Sequence, residues 1–246
     1  MEDMIYFYDE FDEPIDSLIN FITNDITGID LSKADDFNHP IDKLSEKNII
    51  ALSLGKCFAQ SLDNLPSTLK ILNMEFNENF NEPIDNLPNN LECLKLGYNF
   101  NQPLNNLPES LKVLWTSCHF NQPLDNLPNG LINLRTGGDF IQPLDNLPKS
   151  LKVLEIGEQY KHSLEKLPES IKFLTICSDS ARTINYLPHN LETLVLKYVK
   201  QYYIDSYIIP KTLNQIILIE SNIVNYYNLI IKYPHIQIIE DYGFAH

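Results

Sequence analysis

Cysteine and histidine are two kinds of side chain in this 246-residue sequence that could attack a substrate or ligate a metal. The four cysteines form no CxxC pair, and none of the six histidines has another histidine four residues away. Cys118 and His119 come nearest to a nucleophile beside a base, but neighbours in an extended chain point to opposite sides. Asp35 and Asp36 could contact a cation, although paired surface acids are ordinarily solvated. The sequence therefore predicts no metal site.

The motifs that position phosphates, hydrides or catalytic nucleophiles are missing as well. The chain contains no P-loop, no GxGxxG, no HExxH and no GxSxG segment. We therefore predict a protein that is not an enzyme and that uses no cofactor.

The charge balance narrows the classes of partner. The chain carries 33 acidic against 18 basic residues, a net charge of −15. Nucleic-acid binding needs a clustered basic face, so neither nucleic acid nor an anionic membrane surface is expected as a partner. No run of 18 apolar residues suggests a membrane span, and the acidic start is unlike a signal peptide. With so few cysteines, these features predict a cytoplasmic location.

A repeat of 20 to 22 residues dominates the sequence. Leu-Pro or Ile-Pro pairs recur in steps of 22, five times 20, and 22 residues, with their prolines at Pro66, Pro88, Pro108, Pro128, Pro148, Pro168, Pro188 and Pro210. Eight residues before most of these prolines stands an aromatic residue: Phe58, Phe80, Phe100, Phe120, Phe140 or Tyr160. An L-x-x-L-x-L pattern or a near variant starts three residues after each proline. With two degenerate copies near the N-terminus, we count ten strand-like units.

This period predicts a mainly β, curved solenoid of leucine-rich-repeat type, with a parallel sheet on its concave face and few helices. A unit of 20 to 22 residues falls in the leucine-rich-repeat range and is too short for a strand, two turns and a helix. Stacked units bury a shared apolar interior. The aromatic residues should stack as one structural column. A second column should contain asparagines that satisfy backbone groups at turns: Asn64, Asn86, Asn106, Asn126 and Asn146.

The termini should cap this solenoid. We predict an N-terminal cap with a degenerate repeat over residues 1–25, the solenoid over residues 26–220 and a C-terminal cap over residues 221–246. The first cap should hold a strand at Met4–Tyr8 and a short helix near Ile15–Ile22. The second should hold a helix at Asn225–Tyr233 followed by a strand at His235–Glu240.

The residues that vary between repeats are the candidates for partner binding. Those flanking the central leucine of each strand should face the concave side, where Trp115 lies between Lys95 and Arg135. Tryptophan and arginine are enriched at binding hot spots, although Trp115 could simply pack on its two neighbours through cation–π contacts. The predicted partner-binding residues are Lys95, Val113, Trp115, Asn133, Arg135, Glu155 and Phe173.

The repeat unit resembles the FNIP-repeat family, a relative of leucine-rich repeats found in social amoebae and in giant viruses that infect amoebae. Phe80–Pro83, Phe100–Pro103 and Phe120–Pro123 carry the motif, with looser copies at Phe37–Pro40 and Phe140–Pro143. The similarity covers roughly residues 37–218. It implies a non-catalytic binding scaffold.

We therefore predict a scaffold that binds a protein partner through its concave face, in the host-cell cytoplasm if the source is viral. One alternative is a structural component of a virion or an assembly. Many viral members of the family are similar to substrate receptors of ubiquitin ligases, with an F-box-like segment before the repeats. Only about 25 residues precede the first strand unit here. The second alternative is therefore a substrate-recognition subunit whose F-box is supplied by another chain.

Overall fold

The computed structural model describes residues 3–8, 10–177, 182–198, 202–204, 208–220, 223 and 226–241. The strands in chain order are β1 (Asp3–Tyr6), β2 (Ile26–Leu31), β3 (Ala51–Leu54), β4 (Ile71–Asn73), β5 (Cys93–Lys95), β6 (Val113–Trp115), β7 (Asn133–Arg135), β8 (Val153–Ile156), β9 (Phe173–Cys177), β10 (Arg182–Ile184), β11 (Thr193–Lys197), β12 (Tyr202–Ile204), β13 (Gln215–Ile219) and β14 (Gln237–Asp241). Two short α-helices, α1 (Ile15–Leu18) and α2 (Tyr226–Lys232), and one 3₁₀ helix (Asp42–Glu46) complete the described elements.

One parallel sheet runs through the whole described chain. Its twelve strands follow the chain order from β1 to β9 and continue through β11, β13 and β14, while β10 and β12 pair separately. Successive central leucines are register partners, as Leu94, Leu114 and Leu134 show. These leucines are fully buried because each repeat covers the apolar side of the one before it. The predicted leucine-rich-repeat solenoid is confirmed, and the ten predicted units coincide with β2 to β9, β11 and β13.

The repeat aromatics form a buried stack beside the leucine core. Neighbouring rings from Phe58 to Tyr160 have centroids 6.1 to 6.4 Å apart and are stacked with interplanar angles of 5° to 23°. Phe37 and Phe11 extend the stack toward the N-terminus. Each ring from Phe37 to Tyr160 is at most 1% exposed, so the aromatic column is part of the core.

The asparagines that precede Leu-Pro have a different role from the one expected. Their side-chain amides donate to aspartates of the preceding repeat, as in Asn86 to Asp63 at 2.9 Å and Asn146 to Asp125 at 2.9 Å; Asn64 and Asn106 do the same. No described residue completes such a bond with Asn126, because the preceding repeat has Asn105 in place of aspartate. This column therefore forms exposed side-chain pairs and satisfies no backbone group.

A second asparagine column satisfies the backbone instead. The asparagine after the repeat phenylalanine accepts a bond from the backbone N–H one repeat later, at 2.8 Å for Asn81 and Asn101 and at 2.9 Å for Asn101 and Asn121. A glutamine side chain then donates to the backbone carbonyl of the same asparagine, as Gln122 does to Asn101 at 3.1 Å. These bonds tie successive returns together where no sheet forms.

The strands β10 and β12, which the sequence analysis did not predict, lie in return segments that lack a proline. Pro103, Pro123 and Pro143 occupy one position of the return segment, and proline cannot donate to a ladder. The same position holds Thr183 and Tyr203 in the later repeats. These two residues are register partners in the small parallel sheet, since both keep the backbone N–H.

The ends of the described chain contain the expected element types in altered lengths. Strand β1 begins at Asp3. Helix α1 spans only Ile15–Leu18 and is followed by turns and irregular segments up to residue 25. At the other end α2 is followed by β14. Within the described ranges, none of the helices has the length and apolar content that a membrane-spanning helix requires.

Candidate functional site

The candidate site lies on the face of the sheet that points away from the leucine core, which we call the open face. The residue after each central leucine must point to this face because side chains alternate along a strand. Register pairing sets Lys95 beside Trp115, Trp115 beside Arg135 and Arg135 beside Glu155. Four of the predicted partner-binding residues are therefore neighbours on consecutive strands.

These side chains join a network of ion pairs across the open face. Glu75 lies 3.4 Å from the Lys95 Nζ and 3.6 Å from an Nη of Arg135. Glu155 lies 3.6 Å from the Arg135 Nε and 3.1 Å from the Lys197 Nζ. The network contains three cations and two acids and spans the strands from β4 to β11.

Trp115 lies at the centre of this network. The Lys95 Nζ is 3.7 Å from the centroid of its ring, and the Arg135 guanidinium carbon is 5.3 Å away. These are cation–π distances, and the indole remains only partly buried. The arrangement holds a large planar side chain in one place on the open face, as an interaction anchor requires.

An open depression of about 480 Å³ lies over this network. Its shape follows from the residues four positions after each central leucine, where the side chains are large in the outer repeats and small in the middle. Phe76, Tyr98, Glu158 and Tyr198 line the depression in the outer repeats, and Gly138, which has no side chain, lies in the middle. The residues at this one position of successive repeats therefore determine the shape of the depression.

Close approach of the backbones forms the floor of the depression. A Cβ atom on Gly137 would lie only 1.6 Å from the Ser117 carbonyl oxygen. The hydroxyl of Thr116 accepts a bond from the Gly137 N–H at 3.1 Å, and Thr136 repeats this arrangement with Gly157 at 3.0 Å. Each of the two threonines thus bonds to the backbone of the next repeat.

The other three predicted partner-binding residues lie outside the depression. Val113 and Asn133 stand two positions before Trp115 and Arg135, and Phe173 holds the same position in β9, so all three lie on the open face. Phe173 is exposed, and Val113 and Asn133 are partly exposed. They form a flank of the open face, and none of them lines the hollow.

Three exposed aromatic residues that line the depression, which we call the aromatic wall, were not predicted from the sequence. Phe76, Tyr98 and Tyr198 expose 65%, 49% and 51% of their surface. They follow the last apolar position of each strand, where the analysis stopped comparing columns. A comparison of residues four positions after each central leucine could have found them, together with Gly138.

The titratable groups near the depression include two thiols whose pKa values are raised. Burial, with a smaller contribution from the nearby Glu155 carboxylate, raises the pKa of the Cys177 thiol to about 11. Burial also raises the pKa of Cys93, so both thiols stay protonated at neutral pH. His119 hydrogen-bonds Asp139 at 2.5 Å on the exposed surface. The described residues contain no group of three or more histidine, cysteine, aspartate or glutamate side chains placed to hold a metal ion.

Comparisons with known proteins agree with this architecture. Among solved structures, CroV588, described as a novel circular LRR protein, is similar with a TM-score of 0.63 and 23% identity. The match covers 91% of this chain but only 44% of CroV588, so this chain spans less than half the length of that protein. At this identity the likeness shows the fold alone. No curated protein matches the chain.

The family comparison confirms the resemblance seen in the repeats. The family model of the FNIP repeat matches three stretches, residues 80–115, 120–159 and 145–179. These stretches contain β5 to β9 and thus most of the strands under the depression. Over these stretches the chain is therefore similar to FNIP repeats, in agreement with its leucine-rich-repeat fold.

Proposed function

We propose that the protein is a non-enzymatic scaffold that binds a protein partner through the open, concave face of its sheet. The observation that carries this proposal is the depression in which Trp115 is held between Lys95 and Arg135. It combines the residue types that dominate binding hot spots with an exposed aromatic wall. A rigid stack of repeats beneath it keeps these groups in place without the partner.

The burial pattern supports a role in recognition. The repeating positions, which are leucine and phenylalanine, lie inside, while the residues that change from strand to strand lie on the open face. Residues on a surface of this kind can be substituted without destabilising the core. All four cysteines are free, which suits the reducing cytoplasm that we propose as the location.

The test compares capture of a partner by matched variants of the full chain. Trp115→Ala with Arg135→Ala removes an aromatic residue and a cation from the depression. Phe21→Ala with Lys149→Ala removes the same two residue types from exposed positions outside it. The first variant should lose a discrete partner that the wild type and the control retain, with thermal stability close to wild type in both variants. Equal capture by all three proteins would refute the proposal.

A structural role is the second candidate, and one observation favours it. Helix α2 exposes Tyr227 and Ile231 at 80% of their surface each, which is unusual for large apolar side chains on a terminal element of a solenoid. A structural component should self-associate through such residues. Light scattering would detect this as a mass above one chain that returns to one chain in Tyr227→Ser with Ile231→Ser.

A further inference from the structure

The depression differs in charge from the rest of the molecule. The chain carries a net charge of −15, yet Lys95, Arg135 and Lys197 outnumber the two acids with which they pair, Glu75 and Glu155. A third acid, Glu158, lies on the rim, exposed and without an ion pair to any described residue. The hollow is therefore at most neutral on a strongly acidic protein, so its cations can receive an anion.

Arg135 is the cation with the most unused hydrogen-bonding capacity. A guanidinium has five N–H donors in a planar fork that matches a carboxylate. No described residue accepts a hydrogen bond from this side chain, since the carboxylates of Glu75 and Glu155 both stand 3.6 Å away from different nitrogens. The side chain is 44% exposed toward the depression. An incoming carboxylate could thus bond to it without displacing a hydrogen bond.

An incoming cation would meet a less suitable surface. The face of the Trp115 ring already has the Lys95 ammonium at 3.7 Å, and each carboxylate of the network already faces two cations. A lysine or arginine of the partner would have to displace one of these contacts. The aromatic wall of Phe76, Tyr98 and Tyr198 offers apolar contact around the same point.

We propose that the depression binds a peptide segment of the partner protein that presents an aspartate or glutamate side chain to Arg135. Apolar residues next to that acid pack against the exposed aromatic wall. This inference rests on the proposed function and adds the chemistry of the segment that is recognised. The carboxylate completes the charge balance of the network and forms a two-pronged hydrogen bond with the guanidinium.

The test uses a random heptapeptide library displayed on phage, panned against the full chain. Selected peptides are synthesised and titrated while the fluorescence of Trp115 is recorded, because this is the single tryptophan of the chain. We expect an acidic residue at one fixed position with an apolar neighbour. Replacing that acid by its amide should weaken binding to the wild type by about tenfold to a hundredfold.

Variants of Arg135 connect this preference to the site. Arg135→Gln should bind the acidic peptide and its amide counterpart equally, and Arg135→Lys should restore part of the preference for the acid. Peptides that change Trp115 fluorescence but carry basic or neutral residues at every selected position would overturn the acidic preference and leave the proposed scaffold function standing. An acid preference that persists in Arg135→Gln would also overturn the inference. A library that yields no binder at the depression counts against it as well, while partner capture tests the scaffold function separately.

Discussion

Two adjacent glycines on the open face provide a sharp test of the packing described above. A Cβ atom on Gly137 would lie 1.6 Å from the Ser117 carbonyl oxygen and 2.8 Å from that of Cys118, whereas a Cβ atom on Gly138 would meet only the Cys118 sulfur, at 3.5 Å. Gly137→Ala must therefore push two repeats apart by nearly 2 Å to reach an ordinary contact. Gly138→Ala fits into open space.

The expected change in the free energy of unfolding follows from these contacts. Overpacking costs about 1–3 kcal/mol, and displacing the Gly137 backbone also strains its bond to the Thr116 hydroxyl, a loss of about 1 kcal/mol. The restricted unfolded chain of the alanine variant returns at most about 1 kcal/mol. We expect Gly137→Ala to lose about 1–4 kcal/mol, and Gly138→Ala to be unchanged or up to about 1 kcal/mol more stable.

Urea unfolding followed by circular dichroism measures both variants against the wild type. The difference between the midpoints gives the change in stability provided that the slopes agree. Equal midpoints for the two alanine variants would refute the close approach of the repeats at Gly137, and with it our account of the floor of the depression.

Three further predictions concern the core, the polar columns and a thiol. Phe120→Ala should lower the free energy of unfolding by about 3–5 kcal/mol, because its ring is fully buried between two others; a urea-unfolding loss below about 1 kcal/mol would contradict the buried stack. Asn121→Ala should cost about 1 kcal/mol in the same assay because it removes the acceptor of the Ile141 N–H, while Asn126→Ala should be close to neutral, and equal losses would contradict the assignment of the two columns. Cys177 should react very slowly with iodoacetamide at pH 8, and about tenfold faster with each pH unit toward its pKa of about 11. Fast alkylation of the folded protein at pH 8 would show that this thiol is neither buried nor protonated.

The spacing of the leucines made most of the fold predictable. Their strict period sets the register of each strand because a shift of one residue would turn the leucines out of the core. The small sheet of β10 and β12 escaped prediction because its two segments show no strong strand pattern in the sequence. The two asparagine columns look alike in sequence. They differ only in the group of the neighbouring repeat that each asparagine side chain contacts.

The candidate site was predictable in part. Lys95, Trp115, Arg135 and Glu155 share one column next to the central leucines, so strand alternation alone brings them together. Glu75 and Lys197 were missed because they lie beyond the strand pattern that the analysis compared, and their long side chains reach across several strands. The hollow was not predicted either, since it arises from small residues such as Gly138, which offer no side chain for a partner to contact.

Filling the hollow tests the central claim, that this depression binds the partner, most directly. Gly138→Phe adds a ring at a position that lines the depression, where a Cβ atom meets only the Cys118 sulfur, at 3.5 Å. Gly130→Phe is the matched control, because a Cβ atom there meets the flexible end of Lys112 at 2.6 Å and the Glu109 carbonyl oxygen at an ordinary 3.6 Å, and Gly130 does not line the depression. Binding of the captured partner, measured by calorimetry, should be lost in Gly138→Phe and kept in Gly130→Phe, with both proteins folded. Full binding by a folded Gly138→Phe protein would contradict the account.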